Sequence, residues 1–135
     1  MLNAALVVDD ESLVRSFVAH VLHVLNFEVL EAESEEEGWE LFLRNEDHIT
    51  YVFTDIHLIR GNGYQLYRKI RERAPLLKIV VASGLPGTEH EGILHDPQGD
   101  FLSKPFSVDA LIQTARDAAN SLPLKQSLTP CRSVA

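Results

Sequence analysis

The chain has 135 residues, 45% of them hydrophobic, which is enough to bury the core of one domain but leaves no room for a second of ordinary size. A formal net charge of −8 without a dense cluster of Lys and Arg argues against direct binding to nucleic acid. No apolar stretch approaches the roughly 20 residues of a membrane-spanning helix and no secretion signal opens the chain, so we expect a cytoplasmic protein without a membrane partner.

A buried strand and an amphipathic helix are predicted at the start of the chain. The continuous apolar run Ala4–Val8 is typical of a strand that is covered on both faces, and it ends at Asp9 and Asp10. Apolar residues then recur at steps of three and four, which indicates a helix that stops near Asn26. These segments form the first strand and the first helix of the prediction.

The next two strands enclose a capped helix. The segment Glu28–Glu33 has the pattern of a strand, and Ser34 with Glu37 has the spacing of a capping box, which predicts that the second helix starts there. The β-forming residues Tyr51–Phe53 then predict a third strand that ends at Asp55. A glycine-rich break follows, and it predicts a loop before the next helix.

Helix and strand patterns alternate once more after this break. The segment Tyr64–Arg73 repeats the helical spacing, and Pro75 ends the helix because the residue before a proline avoids helical geometry. Residues Lys78–Ala82 predict a fourth strand, directly followed by Ser83. The stretch from Gly84 to Gly99 carries four glycines and two prolines, so the fourth helix is expected to be weak or irregular.

The last two elements complete the alternation. Phe101 and Leu102 predict a short fifth strand before Lys104, and Ser107 is placed to cap the fifth helix. We expect residues 1–122 to form the domain and residues 123–135, which are small, polar and proline-containing, to form a flexible tail. Strands that alternate with helices predict a doubly wound α/β fold around a parallel sheet of five strands.

Five polar residues are predicted to meet at one edge of this sheet. Asp9 and Asp10 follow the first strand, Asp55 ends the third, Ser83 follows the fourth and Lys104 follows the fifth. Ligands of such sheets bind at the carboxyl ends of the strands. Crowded carboxylates repel one another, and Mg²⁺ suits a site with few carboxylates and a phosphoryl group. The pattern therefore predicts a magnesium site with an aspartate that accepts a phosphoryl group.

Each residue also has a structural explanation by itself. Paired aspartates after a strand are often helix caps, a serine before glycine is usually a turn residue, and Lys-Pro commonly precedes a helix. The histidines are expected to be solvated: His20 and His23 lie three apart on a helix without a third ligand, and His90 and His95 lie in the glycine-rich stretch. Only the joint placement of the acids, the serine and the lysine favours a functional site.

The segments LVVDDES, VFTDIHL, VVASG and DFLSKPFS resemble the receiver domains of bacterial response regulators, which are CheY-like phosphoproteins of two-component systems. This resemblance implies a flavodoxin-like sheet in the order 2-1-3-4-5, a fold for which the chemotaxis receiver is a standard example. It also implies a role for each site residue: Asp55 as phosphoacceptor, Asp9, Asp10 and the backbone carbonyl of His57 with Asp55 as Mg²⁺ ligands, Ser83 as switch hydroxyl, Phe101 as switch aromatic and Lys104 as the family's lysine.

The resemblance further implies the partners. A histidine kinase or a histidine phosphotransfer protein would phosphorylate Asp55, and a downstream protein would bind the face formed by the fourth helix, the fifth strand and the fifth helix. It also implies a cis bond before Pro105. The chain departs from the family pattern at Ile59, where a proline is common, while His57 and Leu85 stand where family members tune the phosphoryl lifetime.

Two other functions are weighed against this one. A scaffold that is not phosphorylated would lack the acceptor or the lysine, and this chain has both. A phosphatase with an aspartyl intermediate usually has a second carboxylate two residues after the nucleophile, where this chain has His57. The chemistry expected here is therefore self-phosphorylation and dephosphorylation rather than turnover. A stand-alone protein is favoured over a phosphate shuttle or part of a hybrid kinase.

Overall fold

The structure is a computed structural model, and it describes residues 3–84 and 91–127. Strands and helices alternate through these residues. Their bounds are β1 Ala4–Val8, α1 Ser12–Val24, β2 Glu28–Ala32, α2 Glu35–Asn45, β3 Ile49–Asp55, α3 Gly63–Arg73, β4 Lys78–Ser83, α4 Glu91–Leu94, β5 Gly99–Ser103 and α5 Val108–Ser127.

The five strands form one sheet in the order β2-β1-β3-β4-β5, and every neighbouring pair is parallel. Both the predicted fold and the predicted strand order are confirmed. The change of direction in strand order lies between β1 and β3, because the chain first adds β2 on one side and later β4 on the other. In sheets of this kind the ligand site lies beside that switch point.

The side chains of each strand point alternately to two separate cores. On β1, Leu6 and Val8 belong to the core that α2, α3 and α4 cover, whereas Ala5 and Val7 belong to the core that α1 and α5 cover. All five residues of β1 are buried, which explains why this strand is a continuous apolar run without polar alternation. Helices therefore cover both faces of the sheet.

The predicted helix caps are present. The Ser34 hydroxyl accepts from the Glu37 backbone N–H at 3.2 Å, and Glu37 accepts in return from the N–H of Glu33 at 2.9 Å. The Ser107 hydroxyl accepts from the N–H of Ala110 at 3.0 Å. The reciprocal bond of the first cap thus reaches one residue further back than in the usual capping box.

Some boundaries differ from the sequence prediction. β2 ends at Ala32, one residue early, and β3 begins at Ile49, two residues before the β-forming run. α5 continues to Ser127, whereas the predicted tail begins at residue 123. The division at residue 122 stays a prediction, and residues 128–135 lie outside the described part of the chain.

The fourth helix, which the sequence predicted to be weak or irregular, is short. α4 has four residues, and Ile93 is its buried contact with the sheet. Residues 85–90 lie outside the described residues, and with them the predictions for Leu85 and His90. Among the helices of the described segments, none has the length and apolar character needed to cross a bilayer.

Candidate functional site

Three carboxylates meet where β1 and β3 end. Val8 pairs with Thr54 across these neighbouring strands, so the next residues, Asp9 and Asp55, leave the sheet side by side. One carboxylate oxygen from each of Asp9, Asp10 and Asp55 lies within 4.8 Å of the others. Asp9 and Asp55 are buried and Asp10 is half-buried. Within the described residues this is the one cluster of three acids, cysteines or histidines close enough to hold a metal ion.

Lys104 reaches into this cluster from the end of β5. Its Nζ lies 3.2 Å from Oδ2 of Asp55, 3.3 Å from Oδ2 of Asp9 and 3.7 Å from Oε1 of Glu11. The Lys104 backbone N–H donates to the carbonyl of Ser83 at 2.8 Å, which continues the pairing of β4 with β5 to the edge of the sheet. The peptide bond between Lys104 and Pro105 is cis, as the resemblance implied.

The pKa values of these groups shift with their surroundings. Burial raises the pKa of Asp55 and of Asp9, and the positive charge of Lys104 only partly offsets this effect. Burial by itself lowers the pKa of Lys104, but the carboxylates of Asp55 and Asp9 outweigh burial, so that pKa is raised. Lys104 is therefore stabilised as a cation. Its single positive charge does not fully compensate the negative charges of the crowded carboxylates.

Backbone contacts fix the two acids that follow β1. Asp9 Oδ1 accepts from the N–H of Glu11 at 2.9 Å, and the Asp9 carbonyl accepts from Nη1 of Arg15 at 2.8 Å. Asp10 Oδ2 accepts from the N–H of Ile59 at 2.6 Å, in the loop that follows Asp55. Asp10 is thus tied directly to that loop.

The switch residues predicted from the sequence lie on the neighbouring strands. Asp55 pairs with Ala82 of β4, so the fully buried Ser83 is the next residue toward the site. Phe101 pairs with Val81, two residues before Ser83, and it is half-buried against the core beneath α2 and α3. Phe101 is therefore not part of the acidic cluster, but it lies on the strand next to Ser83.

His57 contributes its backbone, and not its side chain, to this arrangement. The side chain of His57 is exposed, while its backbone N–H donates to the carboxylate of Asp55 and its backbone pairs with Asn62. His20, His23 and His95 are exposed, as predicted, and none belongs to a metal-holding cluster in the described ranges.

Gly63, which the sequence placed in the glycine-rich break before α3, lies directly against Asp55. A Cβ at this position would overlap the backbone carbonyl oxygen of Asp55. The Gly63 N–H also donates to the carbonyl of Ile56 at 2.8 Å, which closes the loop onto the end of β3. The Asn-Gly pair in the sequence indicates a turn, but its approach to Asp55 depends on the path of the folded loop.

The parallel sheet with its switch point, the three acids and the lysine define the class of the protein as a receiver of two-component signalling. Residues 5–116 match the response regulator receiver domain family, and the chain belongs to that family. Such domains are signalling modules rather than classical enzymes, and they interact with histidine kinases or phosphotransfer proteins.

Individual relatives agree with this assignment. The chain is 31% identical to a chemotaxis protein CheY homolog of Campylobacter jejuni, over 83% of this chain and 88% of that protein. It is 29% identical to the autoinducer 1 sensor kinase/phosphatase LuxN of Vibrio campbellii over 78% of this chain, and the match spans only 12% of that kinase. A receiver domain structure from Clostridium thermocellum superposes with a TM-score of 0.81 at 27% identity, covering 91% of this chain and 98% of that one.

Proposed function

We propose that this receiver domain accepts a phosphoryl group on Asp55 and returns it to water, and that the phosphorylated form changes its binding to partner proteins. The observation that carries this proposal is the position of Lys104, whose ammonium lies within 3.3 Å of carboxylate oxygens of both Asp55 and Asp9. An ammonium held beside an acidic cluster is suited to pair with the oxygens of a phosphoryl group placed there.

The donor set of the cluster fits Mg²⁺. Carboxylate oxygens from Asp9, Asp10 and Asp55 gather within 4.8 Å, and hard oxygen ligands of this kind are the ones that Mg²⁺ prefers. The backbone carbonyl of His57 is the fourth protein ligand in the proposal. When bound, the ion offsets the charge of the carboxylates and of the phosphoryl oxygens.

The transfer step uses Asp55 as nucleophile. One carboxylate oxygen attacks the phosphorus of a donor phosphohistidine, the P–N bond breaks, and the imidazole nitrogen keeps the electron pair and takes up a proton. In the return step water attacks the same phosphorus, the Asp55 oxygen leaves as carboxylate, and inorganic phosphate is released. Lys104 pairs with a phosphoryl oxygen in both steps. Its positive charge stabilises the negative charge on the phosphoryl oxygens in each transition state.

The proposed conformational change after phosphorylation involves residues on β4 and β5. The Ser83 hydroxyl moves toward the phosphoryl group, Phe101 turns into the space that is left, and the face of α4, β5 and α5 changes its affinity for a downstream protein. The short α4 is suited to such a change because four residues provide little helix stability of their own. A histidine kinase or a histidine phosphotransfer protein is the proposed donor, and a cytoplasmic location stays a prediction from the sequence.

Intact mass spectrometry tests the proposal. The wild-type protein is incubated with acetyl phosphate and Mg²⁺, and we expect it to gain the mass of one phosphoryl group. Asp55→Asn is expected to gain none, while Asp117→Asn, an exposed acid on α5, serves as the matched control and labels as the wild type does. Equal labelling of Asp55→Asn and wild type would contradict the proposal, and steady release of phosphate over many turnovers would favour a phosphatase instead.

The switch is tested separately by NMR with the phosphoryl mimic beryllofluoride. We expect the amide signals of α4, Ser83 and Phe101 to shift when the mimic is added to the Mg²⁺-loaded protein. If only signals beside Asp55 shift, the acceptor chemistry stands but the proposed switch is wrong.

A further inference from the structure

The loop that joins Asp55 to α3 lies against the metal-binding acids on one side. We call residues 56–62 the acceptor loop. Its ends are closed by bonds from the Ile56 N–H to the carbonyl of Ala82 at 2.9 Å and from the Gly63 N–H to the carbonyl of Ile56. In its middle, the N–H of Ile59 donates to Asp10 at 2.6 Å. The position of this loop therefore sets the position of an acid in the cluster.

The other side of the acceptor loop is held by Glu35, the first residue of α2. Its backbone N–H donates to the carbonyl of Arg60 at 3.1 Å, and its Oε1 accepts from the N–H of Asn62 at 2.9 Å. Gly61 lies between these bonds at φ +99°, and a Cβ there would overlap the Cβ of Glu35. The loop thus packs against Glu35 so closely that only glycine fits between the two hydrogen bonds.

The second oxygen of Glu35 is fixed from α3. Oε2 lies 3.1 Å from Nζ of Lys69, and the same ammonium lies 5.4 Å from the ring centroid of Trp39 on α2. The Glu35 side chain is only 17% exposed. Its carboxylate is therefore held in one orientation, with one oxygen toward the acceptor loop and one toward α3.

Capping of α2 does not account for these contacts. The hydroxyl of Ser34 and the carboxylate of Glu37 satisfy backbone N–H groups at the start of the helix. Glu36, the next residue, is exposed, and within the described part of the chain its side chain makes no hydrogen bond or ion pair. Of the three consecutive acids that open α2, Glu35 alone is turned toward the acceptor loop.

We infer that Glu35 is a positioning residue for the site: it holds the acceptor loop where the Ile59 N–H orients Asp10 and where the backbone of His57 faces Asp55. Without the Glu35 carboxylate, the N–H of Asn62 loses its partner, and the bond from the Glu35 backbone N–H to the carbonyl of Arg60 is left to hold the loop against α2. Groups that orient the ligands of a metal typically change its affinity by about tenfold or more when they are removed.

This inference rests on the proposed function, since it assigns a role toward the Mg²⁺ site. The test uses NMR of the full chain and has two parts. The first measures hydrogen exchange of the Ile59 and Asn62 amides in metal-free protein, and the second follows amide shifts during titration with Mg²⁺ alone. For Glu35→Ala we expect faster exchange at both amides and Mg²⁺ binding that is about tenfold weaker.

Three further variants separate positioning from general effects. Glu35→Gln keeps an oxygen for the Asn62 N–H, so we expect it to bind Mg²⁺ nearly as the wild type does. Glu35→Asp keeps the negative charge at the start of α2 but shortens the side chain by one methylene, so we expect this variant to bind Mg²⁺ more weakly than the wild type. It replaces Glu35→Ala if the alanine variant does not fold. Glu36→Ala removes a neighbouring acid without loop contacts, and we expect wild-type behaviour.

The outcomes are distinct. Unchanged exchange and unchanged Mg²⁺ affinity in Glu35→Ala and Glu35→Asp would overturn the inference, and so would an equal loss of affinity in Glu36→Ala. If the wild type itself binds no Mg²⁺, the proposed function fails. In that case wild-type exchange rates in Glu35→Ala would overturn the inference as well, whereas faster exchange would leave Glu35 as a loop anchor only.

Discussion

At the level of single residues, the site places three carboxylates against one ammonium. Lys104 lies between Asp9 and Asp55, and Asp10 is held by the acceptor loop instead. Because burial raises the pKa of Asp55, the folded state binds a proton there more tightly than the unfolded chain does. Above this raised pKa, Asp55 is ionised and its charge destabilises the folded state. The free energy of unfolding therefore increases as the pH falls through the folded-state pKa of Asp55.

This charge balance predicts that Asp55→Asn is more stable than the wild type in metal-free buffer at pH 7. The substitution removes one crowded carboxylate but leaves Lys104 paired with Asp9, so we expect a gain of about 1 kcal/mol in the free energy of unfolding. Urea denaturation with and without saturating Mg²⁺ measures it. The gain should shrink with Mg²⁺, and a metal-free variant less stable than wild type would contradict the explanation.

The close approach of Gly63 to Asp55 leads to a second prediction. Gly63→Ala places a methyl group on the carbonyl oxygen of Asp55, and the backbone must move to relieve the overlap. We expect a loss of about 3 kcal/mol in the free energy of unfolding, together with slower labelling by acetyl phosphate. Gly84→Ala is the matched control, because the nearest atom to its added Cβ is 4.0 Å away. A loss as large in the control would show that the overlap is not the cause.

At the level of elements, the segment that follows α4 is fastened to α3 by a charged cluster. The carboxylate of Asp96 accepts from the Tyr67 hydroxyl at 2.6 Å and from Nε of Arg71 at 2.8 Å. Arg71 also donates to the carbonyls of Ala74 at 2.9 Å and Leu77 at 2.7 Å, just after α3 ends. These bonds connect the short α4 and the start of β5 to the rest of the domain.

The pH dependence of this cluster can be predicted. Burial raises the pKa of Asp96, but the hydrogen bonds from Tyr67 and the Gln98 N–H, with the charge of Arg71, outweigh it, so the pKa is lowered. The stabilisation is therefore present above the pKa of the unfolded chain and is lost as the pH falls through the folded-state value. We expect Asp96→Asn to cost about 2 kcal/mol at pH 7.

Urea denaturation of Asp96→Asn at pH 7 and in acid checks this prediction. The difference in the free energy of unfolding between wild type and Asp96→Asn should become smaller in acid, because the wild-type carboxylate is then protonated and has lost its charge. Glu72→Gln, an exposed acid on α3, should match the wild type at both pH values. A difference between wild type and Asp96→Asn that stays constant with pH would exclude the charge of Asp96 as its source.

Local patterns predicted the elements well where one residue type determines the geometry. Short-range signals indicated the caps at Ser34 and Ser107, and they also set the fourth helix, which is short, apart from the others. α5 continues past Pro123, where the proline and the polar residues after it suggested the start of a tail. Glu35 was one of several acids in a capped helix, and its contact with the acceptor loop depends on how α2 packs beside α3.

Over the whole molecule, the net charge is concentrated in one part of the chain. The segment from Glu28 to Asp47, which holds β2 and α2, has nine of the 20 acidic residues and one of the 12 basic residues. The remainder is neutral in sum, so the formal charge of −8 belongs to this edge of the sheet.

The parallel sheet explains why the positions of the acids and the lysine could be predicted better than the loops around them. Parallel strands bring their carboxyl ends to one edge, so Asp9, Asp55 and Lys104 were expected to meet, and they do. The sequence carries no comparable rule for loops. The contacts of Gly63 and of Ile59 with the acids became visible only in the folded chain.

The most direct test of the account locates the phosphoryl group itself. The protein is labelled with acetyl phosphate and Mg²⁺, the acyl phosphate is reduced with borohydride, and the digested peptides are mapped by mass spectrometry. We predict that the reduced residue is found at Asp55 and at no other aspartate. Reduction at Asp9, Asp10 or another residue, or a wild-type protein that carries no acyl phosphate, would contradict the account.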